Sequence, residues 1–341
     1  MRARVKQQGK LSFGWLVLLF VLPVAVGFVA LGIGRLWIPP SDIFASLVTK
    51  LNGGEAVSAQ NDMVLWNIRL PRILLDILVG AGLSGAGCAY QSLFANPLAT
   101  PDTLGVASGA SFGAALGILM GMSLLGIQGT ALLFGGAAVL LTWLAGAGKG
   151  RGLNTIVLSG IMIGSLFSAL VSLVKYTADT ESELPAITYW LMGSLDSANF
   201  DSLKLGAPPI LVGLILLLAL RWRLNLLPLS EDEARSSGVN VRILRGVVIV
   251  CATMMTASCV SMCGQVGWVG LLVPHICRMK FGNNHLSLMP ASISFGAVFM
   301  ILVDTLARSI SAAEIPVSIL TAIIGAPFFI ILMRRSGGWS L

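Results

Sequence analysis

Few side chains in this chain are equipped for chemistry, and their spacing says what kind. Two acids, Asp76 and Asp304, fall inside long apolar stretches, and each stands four residues from an arginine, Arg72 and Arg308. That spacing puts both members of a pair on one helix face. Such a pair either eases the cost of charge near lipid, as an interfacial salt bridge, or aims a guanidinium at an acidic partner. The rest of the inventory is bare. His275 and His285 belong to no HExxH pair and to no Ser/His/Asp set. Cys259 and Cys263 sit one helical turn apart, but no second pair or nearby histidine completes a zinc set. With Cys88, Cys251 and Cys277 they are expected to pack as small apolar residues. The nearest approach to a phosphate-binding loop, Gly146-Ala147-Gly148-Lys149-Gly150, has Trp143 where a glycine should open it and Gly150 where Ser or Thr should follow the lysine. The expectation is a chain that is not an enzyme, with no catalytic residue, no metal ligands and no cofactor of its own.

The elements around these residues are those of a polytopic membrane protein. Of 341 residues, 56% are hydrophobic and 11% charged, with a mean hydropathy of +0.88. Soluble domains carry about 25% charged residues, so a soluble domain, a disordered chain and a disulfide scaffold are excluded. The apolar stretches predict spans at Ser12–Gly34, Ile73–Phe94, Leu104–Met122, Gly129–Ala147, Leu153–Val174, Leu205–Leu220, Ile243–Cys263, Val266–Ile276, Leu288–Leu306 and Val317–Met333. The eighth is short and could continue through Cys277–Phe281. With both termini cytoplasmic, about two-thirds of the 22 Lys and Arg fall on the inner side, which accounts for the net charge of +7 without nucleic acid. Arg2, Arg4, Lys6 and Lys10 lead into the first span with no small-residue cleavage site after it, so that helix is expected to be retained. The predicted fold is all-α, about ten transmembrane helices in a single transmembrane domain over residues 1–341.

Loops and helix faces add detail. Pro39–Asn67 reads as a long polar outer loop. Leu227–Arg245 carries acids early and Gly238 late, the pattern of a short capped helix on the inner face that could dock a soluble partner. Glycines at 105, 109, 113, 117 and 121 form a stripe that lets another helix approach closely. Ser165, Ser168 and Ser172 share one face of the fifth span; they either line a path or bond their own helix backbone.

Several blocks resemble the FecCD-type permeases of type II ABC importers, the family that takes up iron chelates, haem and cobalamin. They are Ile68-Arg69-Leu70-Pro71-Arg72; Asn96-Pro97-Leu98-Ala99-Thr100-Pro101 with Leu104-Gly105-Val106; Gly267-Trp268-Val269-Gly270 through Pro274-His275-Ile276-Cys277-Arg278; Asp304-Thr305-Leu306-Ala307-Arg308; Ala313-Glu314-Ile315-Pro316-Val317; and Gly325-Ala326-Pro327-Phe328-Phe329. The resemblance implies a homodimer in the bacterial cytoplasmic (inner) membrane. Two ATP-binding-cassette ATPase subunits, which would bind ATP and Mg, dock inside, and a periplasmic or lipoprotein substrate-binding protein docks outside. It implies binding-protein docking by Arg69, Arg72 and Arg308. Coupling helices at 229–241 would include Ser230, Glu231, Ala234, Arg235 and Gly238, with Ser230 departing from the usual glycine. Cytoplasmic gates would lie at Asn96 and Leu98 and at Leu153 and Asn154, and the fifth and tenth spans would line the path. Asp76 departs from the family's usual apolar residue and is expected to tune the outer vestibule. The family's most frequent cargo is ferric siderophore; haem, cobalamin and molybdate stay open. The competing reading is an ion-gradient-driven secondary transporter or channel.

Overall fold

The computed structural model describes residues 11–52, 58–146, 152–229, 233, 236–311 and 314–335. Every regular element among them is helical. In chain order they are α1 (Phe13–Gly32), α2 (Pro40–Asn52), α3 (Ala59–Val64), α4 (Leu70–Leu93), α5 (Val106–Leu119), α6 (Leu124–Gly146), α7 (Leu153–Thr177), α8 (Glu183–Leu191), α9 (Phe200–Leu224), α10 (Val241–Cys263), α11 (Val269–Phe281), α12 (His285–Ile310) and α13 (Val317–Arg335). Each predicted span falls on one of these helices. Seven stretches are long and apolar enough to cross a bilayer, and α5 and the described part of α13 are shorter apolar helices. With 14 and 13 residues, α5 and α11 reach only about 20 Å at 1.5 Å per residue. The segment read as a polar outer loop instead holds α2 and α3, and α8 occupies the connection after α7.

Helix α4 is the axis of the bundle. Every residue from Val79 to Leu93 is buried, against α12, α10, α11 and α9. Its small residues make this possible. A Cβ on Gly80 would strike the Gly296 carbonyl of α12, and one on Gly87 the Gly270 carbonyl of α11. The glycine stripe of the third span works in the same way. Gly109, Gly113 and Gly117 lie against the α6 backbone or its side chains at Phe134, Thr130 and Ile127, whereas Gly105 and Gly121 flank the helix at positive φ. All five cysteines are free and buried; the thiols of Cys259 and Cys263 point at backbone carbonyls, as packing residues do.

Helix ends follow local chemistry. Ser12, Asn199, Asn240 and Asn284 accept from the backbone N–H groups that open α1, α9, α10 and α12. The loop between α4 and α5 dips into the bundle: Leu104 is buried, its carbonyl accepts from Thr142 Oγ1 at 3.0 Å, and Asp102 Oδ1 accepts from Ala107 N at 2.7 Å. Trp268, before α11, has φ +70°, a conformation that costs a bulky residue roughly 1–3 kcal/mol and persists only where surroundings enforce it. Its ring occupies the space a side chain on Gly325 of α13 would need.

Replacing Gly80 or Gly296 with Val is expected to push α4 and α12 apart and to cost about 1–3 kcal/mol. Gly136 in α6 has open space around its Cβ position, so Gly136→Ala is expected to be neutral or stabilising by up to about 1 kcal/mol. Thermal unfolding in detergent distinguishes the two classes.

Candidate functional site

The chemistry concentrates where α1 ends. Pro71, at the start of α4, has no N–H to return to the preceding turn, and the chain widens there into a π turn over Leu65–Arg69. That turn sets Arg69 and Arg72 side by side, pointing into the bundle, where they are 5% exposed; Arg308 of α12 is 7% exposed. In this conformation the three arginines are therefore built into the protein rather than displayed on it.

Their partners are specific. Arg72 Nε reaches both oxygens of Asp304, at 3.1 and 3.0 Å, and Nη2 lies 2.8 Å from Oδ1. Its Nη1 lies 2.8 Å from Glu314. Arg308 Nε stands 3.5 Å from Asp304 Oδ2, and its Nη2 donates to the Ala30 carbonyl at 2.6 Å. Arg69 donates to the carbonyls of Leu31 and Leu36. Arg69 and Arg308 thus satisfy carbonyls that the end of α1 leaves unpaired, where the helix dipole also favours cations. Gly34 makes room: a Cβ there would sit 2.7 Å from Arg69 Nη2 and 3.2 Å from Arg308 Nη1. Beside the cluster lies a cavity of about 220 Å³ that also touches Arg35 and Glu314.

The structure corrects one pairing. Spacing on α4 predicts an Arg72–Asp76 bridge, but Arg72 turns across to Asp304 on α12 and no donor reaches Asp76. Asp304 and Arg308 do pair within α12. Glu314, Gly34 and the α1 carbonyls were given no role by the sequence. Glu314 stands in one of the blocks quoted above, and only the fold shows which arginine it meets.

A second site forms at the opposite end of α4. A cavity of about 650 Å³ is bordered by Asn96, Leu98, Thr100 and Asp102 of the re-entrant loop and by Ser165 and Ser168 of α7. Asn96 and Leu98, one of the two pairs expected to form a gate, thus border the same cavity as the serine face. Leu153 and Asn154 open α7 and stand outside this wall, and Asn154 is exposed. Ser165 donates to Ile161 O of its own helix at 2.9 Å, and so does Ser172, beyond the cavity wall, to Ser168 O at 3.0 Å. Of the coupling segment, Ser230, Glu231, Ala234 and Arg235 lie outside the described residues. Gly238 has φ +74°, fitting the turn that leads into α10.

With both ends of the bundle in place, the comparisons can be read against them. The sequence model of the FecCD transport family matches residues 19–335. The chain belongs to that family. It is 44% identical over 327 residues to the molybdate import system permease protein MolB of Haemophilus influenzae, covering 96% of each chain. To the vitamin B12 import system permease protein BtuC of Klebsiella pneumoniae it is 34% identical, covering 97% of this chain and 96% of that one. To the Fe(3+)-citrate import system permease protein YfmE of Bacillus subtilis it is 35% identical over 94% of each. A solved structure of a metal-chelate-type ABC transporter in an inward-facing conformation superposes with a TM-score of 0.85 at 42% identity, covering 94% of this chain and 99% of that one. Family membership and the apolar helices together make this a multi-pass membrane protein.

Arg72→Met leaves Asp304 and Glu314 without their shared cation and is expected to destabilise the protein by about 3 kcal/mol, the low end for a broken buried pair because Arg308 stays near Asp304. Adding Asp304→Leu should restore part of that loss. A double-mutant cycle read by thermal unfolding is expected to give a coupling of at least ~1 kcal/mol.

Proposed function

We propose that the chain is the membrane-spanning permease of an ABC importer in the bacterial inner membrane. In this reading a substrate-binding protein docks at the arginine end, and a partner ATPase drives the opposite end through the segment at 229–241. The observation that carries the reading is one bundle with a buried three-arginine cluster at one end and, at the other, a cavity of about 650 Å³ walled by a re-entrant loop and weakly polar helix. The planar fork of arginine suits carboxylates on a docking partner. A weakly polar wall suits cargo that must leave without tight binding. Asn96 and Leu98 would close the cavity. The exposed apolar face of α7, with Leu158, Ile161, Met162 and Leu166 each more than half exposed, supports a second copy packed across the path.

For cargo, the 44% identity to a molybdate permease favours a molybdate-type oxyanion. The cavity volume favours the second reading, a ferric siderophore, since a tetrahedral oxyanion fills little of it. Either way, selection would rest largely with the binding protein.

Proteoliposomes holding the permease, its ATPase and its binding protein are expected to accumulate radiolabelled molybdate in an ATP-dependent manner. Preferential uptake of ferric chelate selects the second cargo. Uptake driven by an ion gradient, without any ATPase, would instead make this a secondary transporter. Ser168→Trp, which fills the cavity, should lower uptake about tenfold or more, while Ser165→Ala should stay within about twofold because its hydroxyl serves only its own helix.

A further inference from the structure

Asp76 lies one helical turn from Arg72 on α4, is 0% exposed, and has no donor at either carboxylate oxygen. The cations facing it are committed elsewhere. Arg72 spans Asp304 and reaches Glu314, and Arg308 holds Asp304 and the Ala30 carbonyl. The group that acts on Asp76 from the facing helix is the Asp304 carboxyl, across the α4–α12 interface. The other helices packed on α4, which are α9, α10, α11 and α1, bring no charged side chain to it among the described residues. An ionised carboxylate enclosed without a donor, next to a second carboxylate, is strongly disfavoured.

We propose that Asp76 is a neutral carboxylic acid whose proton is shared with Asp304, and that this shared proton lets Arg72 leave Asp304 for an acidic partner docking at that face. While Arg72 holds Asp304, the Asp76 hydroxyl donates to the same carboxylate. When a partner's carboxylate draws Arg72 away, Asp304 would otherwise remain a buried anion with only Arg308 nearby. The Asp76 hydrogen bond stays on Asp304, so that carboxylate keeps a donor besides Arg308, which matches the pair's single negative charge. No proton enters or leaves the protein; it moves only along the hydrogen bond joining the two carboxyl groups. Asp76 is then a positioning residue that touches no ligand. The release step rests on the docking role proposed above for Arg72, whereas the protonation of Asp76 does not.

Two measurements on the intact permease–ATPase complex in nanodiscs test this. Infrared spectroscopy should show the carbonyl stretch of a buried protonated carboxyl, shifted in D₂O and lost in Asp76→Asn. If Asp76→Asn removes no such band, Asp76 is ionised and the proposal is overturned. Binding of the system's substrate-binding protein should stay within about twofold of the unmodified chain in Asp76→Asn, which keeps a neutral donor, and weaken about tenfold or more in Asp76→Leu, with both variants matched for thermal stability. Unchanged binding by Asp76→Leu would overturn the release step even with the band present. Arg72→Ala separates the two ideas: unaffected binding in that variant would refute the docking role itself, while the infrared band still reports on the proton.

Discussion

The clamp between Arg72 and Asp304 is the contact on which the rest of the arrangement depends. It joins side chains 232 positions apart in sequence, both of them buried. In such surroundings the attraction is barely screened, but each charge has lost its hydration, so the pair is stable only while both members are present and well aligned. The alignment comes from the backbone. Gly80 and Gly296 bring α4 and α12 into contact, and the π turn before Pro71 rotates Arg72 toward α12. Arg308, one turn along α12 from Asp304, is drawn into the same cluster, and with Arg69 it fastens the end of α1.

Much of this was legible in the sequence for simple reasons. Spans show because apolar runs of bilayer length have few other uses, and the glycine stripe of α5 shows because four-residue spacing is a property of one helix. The blocks around Arg69, Asn96, Trp268 and Asp304 carried the family through local pattern alone. What stayed hidden was tertiary. One-dimensional spacing offers Arg72 only Asp76; that it meets Asp304 and Glu314 instead depends on which helix α4 faces. Gly34 reads as a loop glycine until two guanidinium groups are found pressed against it. The helices α2, α3 and α8 lie in polar connections, where propensity is weak and packing decides.

The two ends of the bundle obey different rules. At the arginine end the guanidinium groups are held by carboxylates and backbone carbonyls, so change there means exchanging one partner for another. At the cavity end Ser165 bonds its own helix, and the loop caps the helix that follows it through Asp102. Little has to be broken for that end to move. A stiff, charge-locked end joined to a lightly bonded one by α4, buried from Val79 to Leu93, is a frame in which rearrangement at one face can be felt at the other.

The shortness of α5 has a consequence for how the membrane is sealed. A rod of about 21 Å cannot bridge roughly 30 Å of hydrocarbon, so part of the thickness beside α5 falls to backbone that is not helical, such as residues 94–105. Thr142 and Asp102 anchor the α5 end of that segment. Its other polar backbone groups must find partners inside the protein, since hydrocarbon offers none.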